Sequence, residues 1–102
     1  MQDFILAKKQ VIAELCRRHH VRSLSIFGSA IRDDFDPMRS DVDVIVEFEE
    51  FPMEEYLENK WRLREELAAK LDRKVDLLTW ESLGNPVIRG EVEATHVMLY
   101  AA

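Results

Sequence analysis

The chain has 102 residues, of which 47% are hydrophobic and 33% are charged, and its net charge is −6. This composition predicts one folded, soluble domain over residues 1–102 and excludes a disordered chain. No apolar run approaches the roughly 20 residues of a membrane helix, and the scattered basic residues are outnumbered by acids, so we expect neither membrane nor direct nucleic-acid binding. The single cysteine, Cys16, cannot form an internal disulfide, which favours a reducing cytoplasm.

The first half of the chain predicts one helix followed by two strands. Apolar residues recur at helical spacing over residues 3–20, with Asp3 as the cap. Alternating serines and aliphatic residues then predict a first strand that ends at Phe27. Gly28-Ser29 reads as a turn, and residues 30–34 as one short helical turn. The β-branched run Val42–Phe48 predicts the second strand.

The second half predicts a helix, a strand and a last helix. Pro52 suits a helix start, and an apolar stripe then continues to Leu71. Residues 75–78 predict a third strand and residues 87–94 a short helix, while the apolar tail 97–100 stays unassigned. Helices and strands in this order predict an α/β or α+β layered domain.

Two carboxylates stand at the entrance of the second strand. Asp41 and Asp43 are two residues apart, so in a strand they point to the same face and repel each other. A divalent cation removes that penalty, and hard oxygen ligands select Mg²⁺ or Mn²⁺. Asp76 faces away from its apolar neighbours in the third strand and can join the pair if both strands share a sheet. Three aspartates suit a two-metal centre, in which Asp76 also accepts a proton from an attacking hydroxyl.

A phosphate cradle is the second predicted part of the site. Gly28 follows a strand directly, and a glycine lets the backbone approach a ligand closely. The N–H groups there and the Ser29 hydroxyl suit the oxygens of a triphosphate, and Arg32 can add a positive charge. Each motif also has a plain structural explanation: a solvated strand entrance for Asp41 and Asp43, and an ordinary turn for Gly28-Ser29.

In these residues the sequence resembles the minimal nucleotidyltransferases of the DNA polymerase β superfamily. The family pattern is Gly-Ser, about ten residues, Asp-x-Asp before an apolar strand, and a later strand Asp. Here it reads Gly28-Ser29, then Asp41-Val42-Asp43, then Asp76. Two departures stand out: Asp33 occupies a position that is often glycine, and the spacer from residue 30 to residue 40 is longer by one residue.

The resemblance implies a small mixed sheet flanked by helices, the polymerase β-like fold, and transfer of AMP from ATP with Mg²⁺ or Mn²⁺. In this family Asp41, Asp43 and Asp76 would be the catalytic metal ligands, and Gly28, Ser29 and Arg32 would bind the nucleotide. The resemblance also implies that this chain forms a hetero-oligomer with a HEPN-domain toxin. It would act as the antitoxin by transferring AMP to the hydroxyl of a tyrosine on that toxin.

Two other functions remain open from the sequence. One is an interaction module that neutralises its partner by binding, with weak or no catalysis. The other is a nucleotidyltransferase that modifies a small molecule such as an aminoglycoside. The short chain offers no acceptor domain, which counts against the second.

Overall fold

The computed structural model describes residues 2–31, Asp36 and residues 41–102, with backbone only at residues 29 and 30. Within these residues lie four helices, four strands and three short 3₁₀ segments. The helices are α1 (Asp3–Leu6), α2 (Lys9–Arg18), α3 (Tyr56–Leu71) and α4 (Pro86–Thr95). The strands are β1 (Val21–Phe27), β2 (Val42–Phe48), β3 (Val75–Thr79) and β4 (Val97–Ala101). The 3₁₀ segments are Gly28–Ile31, Met53–Glu55 and Trp80–Ser82.

The four strands form one mixed sheet in the order β3-β2-β1-β4. β1 is antiparallel to both of its neighbours, whereas β2 and β3 are parallel. A parallel pair needs a crossover connection, and α3 supplies it between these two strands. The predicted α/β class with a small mixed sheet and flanking helices is therefore confirmed.

The predicted first helix is divided in two. The Lys8 N–H donates to the Ile5 carbonyl, three residues back, so the chain tightens into a turn between α1 and α2. The N-cap is Gln2, whose side chain makes no capping bond, and Asp3 is the first helical residue instead of the cap. Both short helices still bury apolar residues in the same core, including Ile5 and Ile12.

The core lies between the sheet and helices α1, α2 and α3. In α3 the buried residues are Leu63, Leu67 and Leu71, which recur every four residues and so share one face. Cys16 of α2 is fully buried among these side chains. Burial raises the pKa of the Cys16 thiol to about 12, while the nearby positive charge of Arg17 acts in the opposite direction.

A buried histidine joins α2 to α3. His19 follows α2, and its Nδ1 and Nε2 lie 3.0 Å from Asn59 Oδ1 and 3.0 Å from Glu66 Oε2. The amide nitrogen of Asn59 donates back to the His19 carbonyl at 2.7 Å. The sequence carries no local signal for these contacts, because Asn59 is 40 residues away.

The unassigned tail forms strand β4, which pairs with β1 at one edge of the sheet. Val97 and Met98 are exposed and Leu99 is buried, so the tail lacks the strict alternation that would have predicted a strand. Among the described residues, no helix combines the length and the apolar character needed to cross a bilayer.

Candidate active site

Strand β2 holds the second aspartate of the pair on the face opposite to the core. Val42, Val44 and Val46 are buried on the helix side, so Asp43, which alternates with them, projects to the other face. Asp43 is half-buried, and Asp41 lies just before the first residue of the strand. The β-branched run thus fixes the direction in which Asp43 points.

The register of the parallel strands brings Asp76 beside Asp43. Asp43 is the Cα partner of Asp76, and the flanking pairs Val42–Val75 and Val44–Leu77 point into the core. Neighbouring strands are about 4.8 Å apart, and paired residues project to the same face. Two carboxylates from distant parts of the chain therefore stand side by side, and Asp76 is the exposed one.

Gly28 borders Asp43 from the opposite side. The residue before it, Phe27, is the β1 partner of Asp43, and Gly28 itself has a φ of +70°, where glycine is favoured. A Cβ atom built on Gly28 would lie 3.4 Å from the Asp43 Cγ and would overlap its Oδ2. A side chain is therefore excluded here on two grounds, backbone conformation and space.

Three strands thus contribute to one small area. The Gly28–Ile31 segment leaves the end of β1, Asp43 lies in the middle on β2, and Asp76 lies on β3. Arg32 lies outside the described residues, as does the side chain of Ser29. The phosphate-binding roles predicted for Gly28, Ser29 and Arg32 remain predictions.

Asp41 has a neighbour that the sequence analysis missed. Its Oδ2 lies 3.9 Å from Lys74 Nζ, and the Val42 N–H donates to the Lys74 carbonyl at 2.9 Å. Lys74 precedes β3 directly, so the register that pairs Asp43 with Asp76 also places this lysine opposite Asp41. Knowledge of the strand pairing would have identified it; spacing along the chain could not.

The donor set fits a hard divalent cation, although its ligation remains a prediction. The three aspartates offer only carboxylate oxygens, which Mg²⁺ and Mn²⁺ prefer, and two of them are forced together by strand register. As the side chains stand, no group of three or more His, Cys, Asp or Glu residues within the described ranges is gathered closely enough to hold a metal ion. The strand register brings Asp43 and Asp76 together, and the participation of Asp41 remains a prediction.

Comparison with known protein families agrees with this geometry. Residues 8–97 match the family described as "Nucleotidyltransferase domain". A protein of Methanocaldococcus jannaschii with the provisional name protein adenylyltransferase MJ0128 is 33% identical over 93 residues, which are 91% of this chain and 88% of that protein. The protein adenylyltransferase MntA of Thermococcus cleftensis is 41% identical over 68 residues, 60% of this chain and 68% of that protein.

Solved structures show the same fold. A provisionally named minimal nucleotidyltransferase superposes with a TM-score of 0.74 at 29% identity, covering 94% of this chain and 95% of that one. The complex of a tri-AMPylated HEPN toxin from Shewanella oneidensis with its MNT antitoxin contains a chain that superposes with a TM-score of 0.64 at 23% identity, covering 95% of this chain and 72% of that one. The chain therefore belongs to the nucleotidyltransferase domain family. It has the fold of the minimal nucleotidyltransferases, and its relatives are named protein adenylyltransferases.

Proposed function

We propose that this chain is the antitoxin of a toxin–antitoxin pair and transfers AMP from ATP to a hydroxyl group, that of a tyrosine, on a cognate HEPN-domain protein. The observation that carries the proposal is the parallel register of β2 and β3, which sets Asp76 beside Asp43 on one face of the sheet. Gly28 borders the same carboxylate, where the family pattern has its phosphate-binding turn. We place the reaction in the cytoplasm, where a single buried cysteine stays reduced.

Asp41, Asp43 and Asp76 would hold Mg²⁺ or Mn²⁺. A bound divalent cation would neutralise the repulsion between these carboxylates and withdraw charge from the phosphate oxygens of ATP. The backbone N–H groups of the Gly28–Ile31 segment would bind the β- and γ-phosphates, because glycine leaves them accessible. Ser29 and Arg32 would add a hydroxyl and a positive charge to that cradle.

Transfer would form one bond and break one. The acceptor oxygen attacks the α-phosphorus of ATP, the bond from that phosphorus to the bridging oxygen breaks, and pyrophosphate leaves with the bond electrons. The hydroxyl proton passes to the Asp76 carboxylate, which is the exposed acid of the pair and thus the one an incoming acceptor can reach. Asp43, half-buried between Gly28 and Asp76, would fix the position of the donor phosphates.

The partner is inferred from a solved structure with the same fold. In the Shewanella oneidensis complex an AMPylated HEPN toxin is bound to an MNT antitoxin. The acceptor would therefore be presented by a second protein in a hetero-oligomer.

The test is transfer of radiolabel from α-³²P-labelled ATP to the proposed cognate HEPN-domain protein, with Mg²⁺ present. The wild-type chain should label it, and mass spectrometry should place AMP on a tyrosine. Asp43→Asn should abolish labelling, whereas Glu91→Gln, the same charge change on exposed helix α4, should leave it intact.

Two results would contradict the proposal. Undiminished labelling by Asp43→Asn would remove the assigned site. Full neutralisation of the partner by the Asp41→Asn/Asp43→Asn double variant would favour an interaction module that acts by binding alone. Binding of Mn²⁺, followed by its electron paramagnetic resonance signal, tests the metal site independently of transfer and should be lost in the double variant.

A further inference from the structure

Helix α3 has a second apolar face that the fold leaves uncovered. Its buried face carries Leu63, Leu67 and Leu71, but Leu57 and Trp61 lie one turn apart on another side of the helix with exposures of 77% and 58%. Met53, one turn earlier in the preceding 3₁₀ segment, is 81% exposed. Large apolar residues in such a row are unusual on the surface of a protein that works alone.

This face borders a groove at the open edge of the sheet. The groove has a volume of about 340 Å³ and is lined by Leu57, Lys60, Trp61, Arg64 and Leu77. Leu77 belongs to β3, which is the last strand on its side of the sheet, so the groove runs between α3 and a free strand edge. Within the described part of the chain, the Trp61 ring makes no stacking or cation–π contact.

The charges around the groove are basic, against the overall charge of the protein. Lys60 and Arg64 lie on the groove side of α3, whereas the chain as a whole carries −6. Lys60 has no ion pair among the described residues, and Arg64 is paired only with its neighbour Glu65, at 2.9 Å. A surface that combines a tryptophan, a leucine and basic side chains is complementary to apolar side chains flanked by carboxylates.

We infer that this groove docks the partner protein, through a helix of the partner that presents an apolar row flanked by acidic residues. The groove is hereafter called the α3 groove. Trp61 and Leu57 would be covered by the apolar row, and Lys60 and Arg64 would pair with the acids. The inference rests on the proposed function, because it names the surface by which that acceptor protein binds.

The position of the groove connects it to the site. Leu77 follows Asp76 in β3, and successive residues of a strand point to opposite faces. The α3 groove and the Asp43–Asp76 pair are therefore on the two sides of the same edge strand, about one residue apart along it. A partner seated in the groove has only to reach around this edge to bring a hydroxyl to Asp76.

The test measures binding between the full chain and the purified cognate HEPN-domain protein. Trp61→Ser should raise the dissociation constant by at least about tenfold, as expected for a tryptophan at the centre of an interface. Lys60→Glu should slow association and weaken its dependence on salt. The matched control is Val87→Ser, which removes a 69% exposed apolar residue from helix α4 and should leave the dissociation constant within about twofold.

A second measurement leaves the groove intact. In a Trp80→Phe chain labelled with 5-fluorotryptophan, Trp61 is the single fluorinated residue. Its ¹⁹F resonance should shift and lose its sensitivity to D₂O when the partner is added. Circular dichroism of each variant confirms that exposed substitutions leave the fold unchanged.

Three outcomes would overturn the inference. The first is an unchanged dissociation constant in Trp61→Ser together with an unchanged ¹⁹F resonance. The second is dimerisation of the chain alone that depends on Trp61, which would assign the groove to another copy. The third is loss of binding in Glu49→Lys/Glu50→Lys without loss in Trp61→Ser, which would move docking to the acidic, aromatic groove at the far end of β2. Failure of the proposed function alone would give a different pair of results. The wild-type chain would transfer no AMP, but Trp61→Ser would still weaken binding to the partner.

Discussion

Removal of one charge from the aspartate pair should stabilise the fold and abolish transfer. Asp43 and Asp76 are Cα partners on parallel strands, so Asp76→Asn removes a like charge directly beside another. Two unit charges about 5 Å apart repel by about 1 kcal/mol in water and by about 3 kcal/mol at an effective dielectric constant of 20. Because Asp76 is exposed, the lower figure applies.

In a domain of this size, about 1 kcal/mol corresponds to a rise in Tm of roughly 4–8 °C. The assay is thermal unfolding of the wild-type chain and the variant in low-salt buffer with EDTA. The rise should shrink as salt is added, because salt screens the repulsion. Addition of Mn²⁺ should then raise the Tm of the wild-type chain much more than that of Asp76→Asn, while the transfer assay shows no activity in the variant.

The control is Glu91→Gln, which makes the same change in net charge on an exposed face of α4 and should shift the Tm little. It separates local repulsion from the general effect of a lower negative charge. An unchanged or lower Tm for Asp76→Asn in EDTA would show that the two carboxylates do not face each other. The shared site would then lose its geometric basis.

Three further predictions concern single side chains. Gly28→Ala should destabilise the fold by about 1–2 kcal/mol or more in a denaturant titration, and it should disable the site. The reasons are that the φ of Gly28 is +70° and that the Asp43 carboxylate fills the space a side chain would need. The control, Gly90→Ala in α4, meets no atom within 4 Å and should stabilise the fold by about 0.5–1 kcal/mol. Glu66→Ala should cost about 1–3 kcal/mol in the same titration, because it leaves Nε2 of the buried His19 ring without its carboxylate partner. Glu65→Ala should cost under about 0.5 kcal/mol, and equal costs would argue against a stabilising His19–Glu66 contact. The Cys16 thiol, whose pKa is raised from 9.0 to about 12, should resist thiol reagents in the folded chain, and rapid labelling at pH 8 would contradict its buried position. Its contribution to the free energy of unfolding should be complete below pH 9 and should decline as the pH rises towards 12. Cys16→Ala should remove that part of the loss of stability at alkaline pH.

The sequence predicts strand β2 with both of its bounds, and the reason is local. A run of β-branched residues stands between the polar Asp41 and the acidic segment that follows Phe48, so both ends are marked. Helix α3 is equally clear, because its buried leucines recur every four residues and Pro52 precedes it. These elements needed no knowledge of the rest of the chain.

The features that the sequence leaves conditional or misses depend on contacts between distant parts of the chain. The sequence joins Asp76 to Asp43 only on the condition that their strands share a sheet, because no spacing rule reveals the parallel register of two strands more than 30 residues apart. The same applies to Lys74 beside Asp41 and to the His19 contacts with α3. The sequence does not predict strand β4, because its exposed edge relaxes the alternation by which strands are usually identified.

The place of β3 at the edge of the sheet has a consequence for evolution. The inner strands hold the residues proposed for the nucleotide, while the outermost strand of this side carries the acid that would meet the acceptor. If the target is supplied by another gene, its identity can change without any alteration of the inner strands. New targets would then arise by drift in a few surface positions of one helix, and the chemistry would be inherited unchanged.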